Sequence, residues 1–177
     1  MLTDMSEGRS PSPPPADQDE LNNAELADGI GIPLSDAAAR ADYLLTEIIT
    51  LYDKVGDRPV VWYRAKTTGE AVLGNSYMHP RLHIYEYLRE NDEHENADRL
   101  WEEALPELRE LRATPLHMGP ATYNLACTRV HQDHSDEALN LLEEAFSLRP
   151  DLRSIAINDP ELAPLRDDPR FQELVKS

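Results

Sequence analysis

Two stretches of the chain carry one pattern: ADRLWEEAL at 97–105 and ALNLLEEAF at 138–146, offset by 41 residues. Each opens on alanine, carries Glu-Glu-Ala near its end and closes on a large apolar side chain. The two alanines of each copy stand seven positions apart. Small residues at that spacing let a neighbouring helix approach, and the large ones between them fill its grooves. Self-similarity at such an offset is the mark of stacked helical hairpins, in which each unit buries its apolar face against the next. The chain is therefore expected to be all-α.

Apolar spacing elsewhere agrees. Ala41, Leu44, Leu45, Ile48, Leu51, Tyr52 and Val55 recur every three or four residues. This predicts a helix over 35–55, with Ser35 as its N-cap and Gly56 as its stop. RPVVWYRA follows and reads as an ordered connection, with Val61 and Trp62 plugged into the helical core. Thr67 and Glu70 have capping-box spacing ahead of a helix over about 68–90. Pro80 lies inside that helix, so a kink or break is expected near Tyr77–His79. A further helix is expected over about 93–112, bent at Pro106. His117 precedes Gly119-Pro120, which reads as a linker.

The first 33 residues carry five of the 14 prolines, seven acids against one base, and no aromatic residue. Such a segment cannot bury enough apolar surface to offset the entropy of ordering, so an acidic extension without fixed structure is expected over 1–34. A helical region over 35–115 and a hairpin with capping helices over 116–177 would follow. With 34 acids and 17 bases the net charge is −17. That balance speaks against nucleic acid and anionic membrane surfaces as partners. The single cysteine, Cys127, excludes an intramolecular disulfide and any multi-cysteine metal site, and a cytoplasmic protein is expected.

The segment YNLACTRVHQDHSDEALNLLEEAFSLRPD (123–151) resembles a tetratricopeptide repeat over its whole length. Ala138, Leu142, Ala145 and Pro150 fill that family's small, large, small and proline positions, and Ser135 is placed to cap the second helix. Asp133 stands where the family favours glycine, and Arg129 where it favours an aromatic. In the tail, Asp159-Pro160 and Asp168-Pro169 each place a capping aspartate before a proline at the first helical position. DPELAPLRDDPRFQEL resembles the ends of such arrays, with Leu162, Leu165, Phe171 and Leu174 as covering residues. The resemblance implies antiparallel helical hairpins with short C-terminal capping helices. It also implies a concave partner-binding surface on the first helices. Tyr123, Asn124, Cys127, Val130 and His131 would line it, and Arg129 would meet a partner carboxylate. Packing against the helix over 93–112 is the alternative role of Tyr123 and Cys127.

His79 and His83 stand one helical turn apart in NSYMHPRLHIYEYL. Two imidazoles so placed can share a divalent metal such as zinc or nickel. The motif is similar to the last-helix His-xxx-His of the DinB-like four-helix-bundle family. That family holds its metal with three histidines and includes thiol-dependent transferases and hydrolases. No histidine precedes His79 here. The third ligand would then be Asp53, Glu70, or a histidine from a second chain in a dimer. Helix capping by His79 and packing of His83 is the other role open to the pair. His131 and His134 flank a turn and are expected to be exposed. No phosphate-binding or nucleophile-elbow motif occurs. The function expected from the residues is that of a non-enzymatic helical-repeat adaptor for a protein or peptide, without a cofactor. A metal-binding DinB-like protein is the alternative.

Overall fold

The computed structural model describes residues 1–14, 16, 23, 24, 26 and 29–176. It is mostly helical, in the order α1 (Leu2–Ser6), α2 (Leu34–Val55), β1 (Pro59–Trp62), β2 (Ala65–Thr67), α3 (Thr68–Leu73), a π turn (Gly74–Met78), α4 (His79–Glu90), α5 (His94–Glu110), α6 (Pro115–His131), α7 (Ser135–Leu148), α8 (Leu152–Ala156), a 3-10 segment (Pro160–Leu165) and α9 (Pro169–Lys176). It divides into two compact units, Met1–Val72 and Leu73–Ser177.

In the first unit, α1 packs on α2 and buries Leu2. The N-terminal extension thus holds a short helix where composition predicts none. Residues 15, 17–22, 25, 27 and 28 of that extension lie outside the described residues. Pro33, rather than Ser35, holds the N-cap of α2, and the Ser35 hydroxyl donates to Asp36 instead. The connection after Gly56 is an antiparallel hairpin, pairing Pro59 with Thr67 and Trp62 with Ala65. Val61 does not plug a core: it is 83% exposed, and Val60 is the buried residue. Strand alternation sends neighbours to opposite faces. Buried Thr68 ties the hairpin's ends, donating to the Gly56 carbonyl at 2.7 Å and accepting from Arg58 N–H at 3.0 Å. Glu70 N–H donates to Thr67 Oγ1 at 3.2 Å, as the capping-box spacing predicts.

The second unit is built of two helical hairpins, α4–α5 and α6–α7. The helix expected over 68–90 is interrupted ahead of Pro80, close to the expected Tyr77–His79, and Pro80 itself stands in the first turn of α4. The chain accommodates it one turn earlier, in the π turn Gly74–Met78, where a wider backbone ring absorbs the lost bond. Pro106 sits inside α5. Gly119-Pro120 is no linker: both lie within α6, and His117 is buried. Gly119 is needed there because a β-carbon would stand 2.5 Å from Arg149 Cγ. His94 and Ser135 open their helices without capping them through side chains.

The two hairpins repeat one construction. Ala97, Trp101, Ala104 and Leu105 on α5 are 0–1% exposed, and so are Ala138, Leu142, Ala145 and Phe146 on α7. Each alanine marks a place where helices cross closely, and each large side chain fills the space between. One core cluster joins α4, α5 and α6 around Trp101, Leu105 and Leu108. The other joins α6 and α7 to the tail, with Leu162, Leu165 and Phe171 buried and Leu174 packed beside them. The tail therefore caps the stack as its pattern suggests. Asp159 Oδ1 accepts from Glu161 N–H, and Asp168 Oδ1 from Arg170 N–H. Among the described residues no helix is long and apolar enough to cross a membrane.

Candidate functional site

Tyr123, Cys127 and His131 lie at positions i, i+4 and i+8 of α6 and so share one face. The 3-10 segment packs on that helix and brings two carboxylates to the face. Tyr123 donates to Asp159 Oδ2 at 2.6 Å. Tyr85, from the first helix of the other hairpin, donates to Glu161 Oε1 at 2.8 Å. His131 Nε2 stands 3.8 Å from the same oxygen. Helices α4 and α6 and the cap thus meet in one part-buried polar cluster.

Burial and the two acids set its protonation. Desolvation, reinforced by Glu161, lifts the Tyr85 phenol far above its ordinary range. Desolvation and the bond to Asp159 do the same for Tyr123. The Cys127 thiol is pushed well up by burial and then by Glu161 and Asp159. His131 is held down by desolvation and next by Arg89. Cys127 therefore stays a thiol, whereas a nucleophilic cysteine needs a positive setting. Among the described residues, ligand atoms of Cys127, Asp159 and Glu161 lie within 4.8 Å of one another. Both Asp159 oxygens and Glu161 Oε1 already accept hydrogen bonds, so the group ties the cap to the two helices.

This arrangement corrects the expected partner-binding surface. Tyr123, Cys127 and Val130 belong to the core, and only Asn124 and His131 keep partial exposure. The tail covers the face that the repeat resemblance leaves open for a ligand. His131 is not the exposed residue its place beside a turn suggests; His134 is. Arg129 is already engaged, by Glu102, by Glu137 at 2.7 Å and by Gln132 at 2.6 Å.

His79 and His83 project from the solvent side of α4. Their Nε2 atoms are 3.1 Å apart, and His83 Nδ1 is 3.3 Å from Glu86. Two nitrogens at metal–nitrogen distances of ~2.0–2.1 Å with tetrahedral angles lie ~3.3 Å apart, so the pair fits two adjacent ligand positions. Glu86 is placed to orient the second ring. Asp53 and Glu70 belong to the other unit.

An open groove runs between α6 and α7, which sequence reasoning did not single out. Leu125 and Leu141 give it an apolar floor, Arg129 lies in it, and Glu137, Asn140 and Glu144 form its edge. Glu144 also pairs with Arg109 at 2.8 Å. The signal available in the sequence was the polar face of 137–144, whose Glu137, Asn140 and Glu144 recur at helical spacing. Comparison with known proteins adds nothing to this geometry: no family model matches the chain, and no curated protein or solved structure is significantly similar to it.

Proposed function

We propose that the protein is a non-enzymatic helical-repeat adaptor that docks a basic segment of another protein in the groove between α6 and α7. The observation that carries this reading is the groove's make-up: an apolar floor of Leu125 and Leu141 under an edge of Glu137, Asn140 and Glu144. In a chain of net charge −17, a cationic partner is drawn in by the field of the whole surface. Glu137 and Glu144 are exposed enough for a partner's lysine or arginine to compete with Arg129 and Arg109. The 41-residue repetition of the hairpins supports the repeat resemblance, and the thiol character of Cys127 supports a binding role over catalysis. The test is fluorescence anisotropy with two labelled amphipathic peptides of one apolar pattern, one lysine-rich and one glutamate-rich. Binding of the lysine-rich peptide alone, weakened at least tenfold by Glu137→Lys with Glu144→Lys, is the expected result. Equal binding of both peptides, or of neither, would sink the reading.

A second reading is favoured by the 3.1 Å separation of the His79 and His83 nitrogens. A zinc or nickel ion held there would be completed by a third ligand from a partner chain or from solvent. Metal analysis of protein purified without a histidine tag tests it. Stoichiometric metal lost in His83→Ala would place the DinB-like reading first.

A further inference from the structure

Helix α2, on which α1 packs, leaves residues 34–47 exposed, apolar side chains included. Leu34 is 85% exposed, and Leu44, Leu45 and Ile49 are about half exposed. Cover begins at Ile48: Ile48, Leu51 and Tyr52 are partly buried, Val55 is buried, and the Tyr52 hydroxyl lies against Gly69. A helix of 22 residues gains most of its stability from packing an amphipathic face. Exposed Leu34, Ala37, Ala41 and Leu44, partly buried Ile48 and Leu51, and buried Val55 alternate by three and four, the seam of a coiled coil.

The two halves of this seam are complementary to each other. Its first half is small (Ala37 and Ala41, flanked by Ala38) and its second half large (Leu44, Ile48 and Leu51, flanked by Leu45). Antiparallel pairing of two copies sets Ala41 of one opposite Leu44 of the other, Ala37 opposite Ile48, and Leu34 opposite Leu51. The flanking Ala38 then faces Leu45. Every small side chain meets a large one, as dense packing requires. The same register sets Arg40 of each copy opposite Glu47 of the other, giving two opposite-charge pairs across one two-fold axis. Parallel pairing would stack Ala37 on Ala37 and Ala41 on Ala41, leaving gaps. Within one helix Arg40 and Glu47 are seven residues apart, too far to satisfy each other.

We infer that α2 is a self-association site, on which a second copy of this chain docks its own α2 antiparallel, with Arg40 and Glu47 paired across the dimer. The interface lies on α2 and is independent of the reading of the groove between α6 and α7.

The experiment is sedimentation equilibrium of the full chain, with circular dichroism to verify helix content. The expected species has twice the 20.0 kDa chain mass. Leu44→Asp, at a site 45% exposed in the single chain, should release monomers that keep their fold. Arg40→Glu and Glu47→Arg should each weaken the dimer several-fold at low salt, since each sets like charges together twice. Mixing these two variants should restore tight association, because the mixed dimer regains both opposite-charge pairs. A wild-type chain that stays monomeric at 100 µM overturns the inference, and would hand the face to a foreign partner. A dimer indifferent to Leu44→Asp, or a mixture no tighter than its components, overturns it as well.

Discussion

Asp92 and Asp133, 41 residues apart, hold the same left-handed backbone, with φ of 60° and 61°. Each sits in the turn of a hairpin. In each, the next N–H reaches five residues back, Glu93 to the Leu88 carbonyl and His134 to the Arg129 carbonyl. Aspartate tolerates this conformation better than most residues, and glycine adopts it freely. Asp133→Gly should therefore be neutral or stabilising by up to about 1 kcal/mol, and Asp133→Val destabilising by about 1–2 kcal/mol. Chemical denaturation of the two variants checks the pair. A tolerated valine would show that the turn relaxes out of the left-handed region.

Gly119 lies inside a helix, where alanine is ordinarily the better helix former by about 1 kcal/mol. Here the added carbon would meet Arg149 Cγ at 2.5 Å and Cβ at 2.9 Å. Those atoms are close to the main chain and cannot swing aside as a side-chain tip does. Gly119→Ala should thus lower stability by about 1–3 kcal/mol, against propensity. A gain in melting temperature would refute the close approach.

Ala138 is fully buried in the α6–α7 core. Ala138→Leu should overpack the crossing and cost about 1–3 kcal/mol. Ala97→Leu, at the matching place on α5, should cost a similar amount. The comparison by thermal unfolding tests whether the two hairpins are equivalent in energy as well as in form.

Three tyrosines make the second unit sensitive to alkali. Burial and then the bond to Glu107 push the Tyr77 phenol up to about 12, and Tyr85 and Tyr123 are raised further. A phenol ionises to an anion, so a raised folded value means that the fold favours the neutral form. Its stabilising contribution is complete below the unfolded value near 10 and fades as pH rises past it. Stability should accordingly fall from pH 10 upward. Phenolate absorbance should show Tyr85 and Tyr123 ionising only as the unit unfolds and Tyr77 ionising later than free tyrosine, and ionisation of all tyrosines near pH 10 in folded protein would contradict the cluster.

Cys127 is fully buried, and its thiol is raised well above its ordinary range. A thiol-reactive disulfide reagent should leave it unmodified in native protein and label it completely in denaturant. Rapid native labelling would mean that the cap over α6 opens readily.

What the sequence determined by itself is whatever neighbouring residues decide. The periodicity of 41–55, the alanines at 97, 104, 138 and 145, and the capping aspartates Asp159 and Asp168 act within a helical turn or two, or repeat. Their helices and buried faces are legible without coordinates. Tertiary structure decided the rest. The Tyr85–Glu161 bond joins residues 76 positions apart, and no local pattern announces it. That bond and its neighbours seat the tail over α6, and the tail together with α7 makes Tyr123, Cys127 and Val130 core instead of a partner surface. The hairpin at 59–67 is not legible in the sequence for a related reason, because two strands of four and three residues carry too little alternation to register. Its pairing, which turned Val61 outward, is a contact between strands. Burial is a property of what covers a residue, and here the covering piece comes from far along the chain.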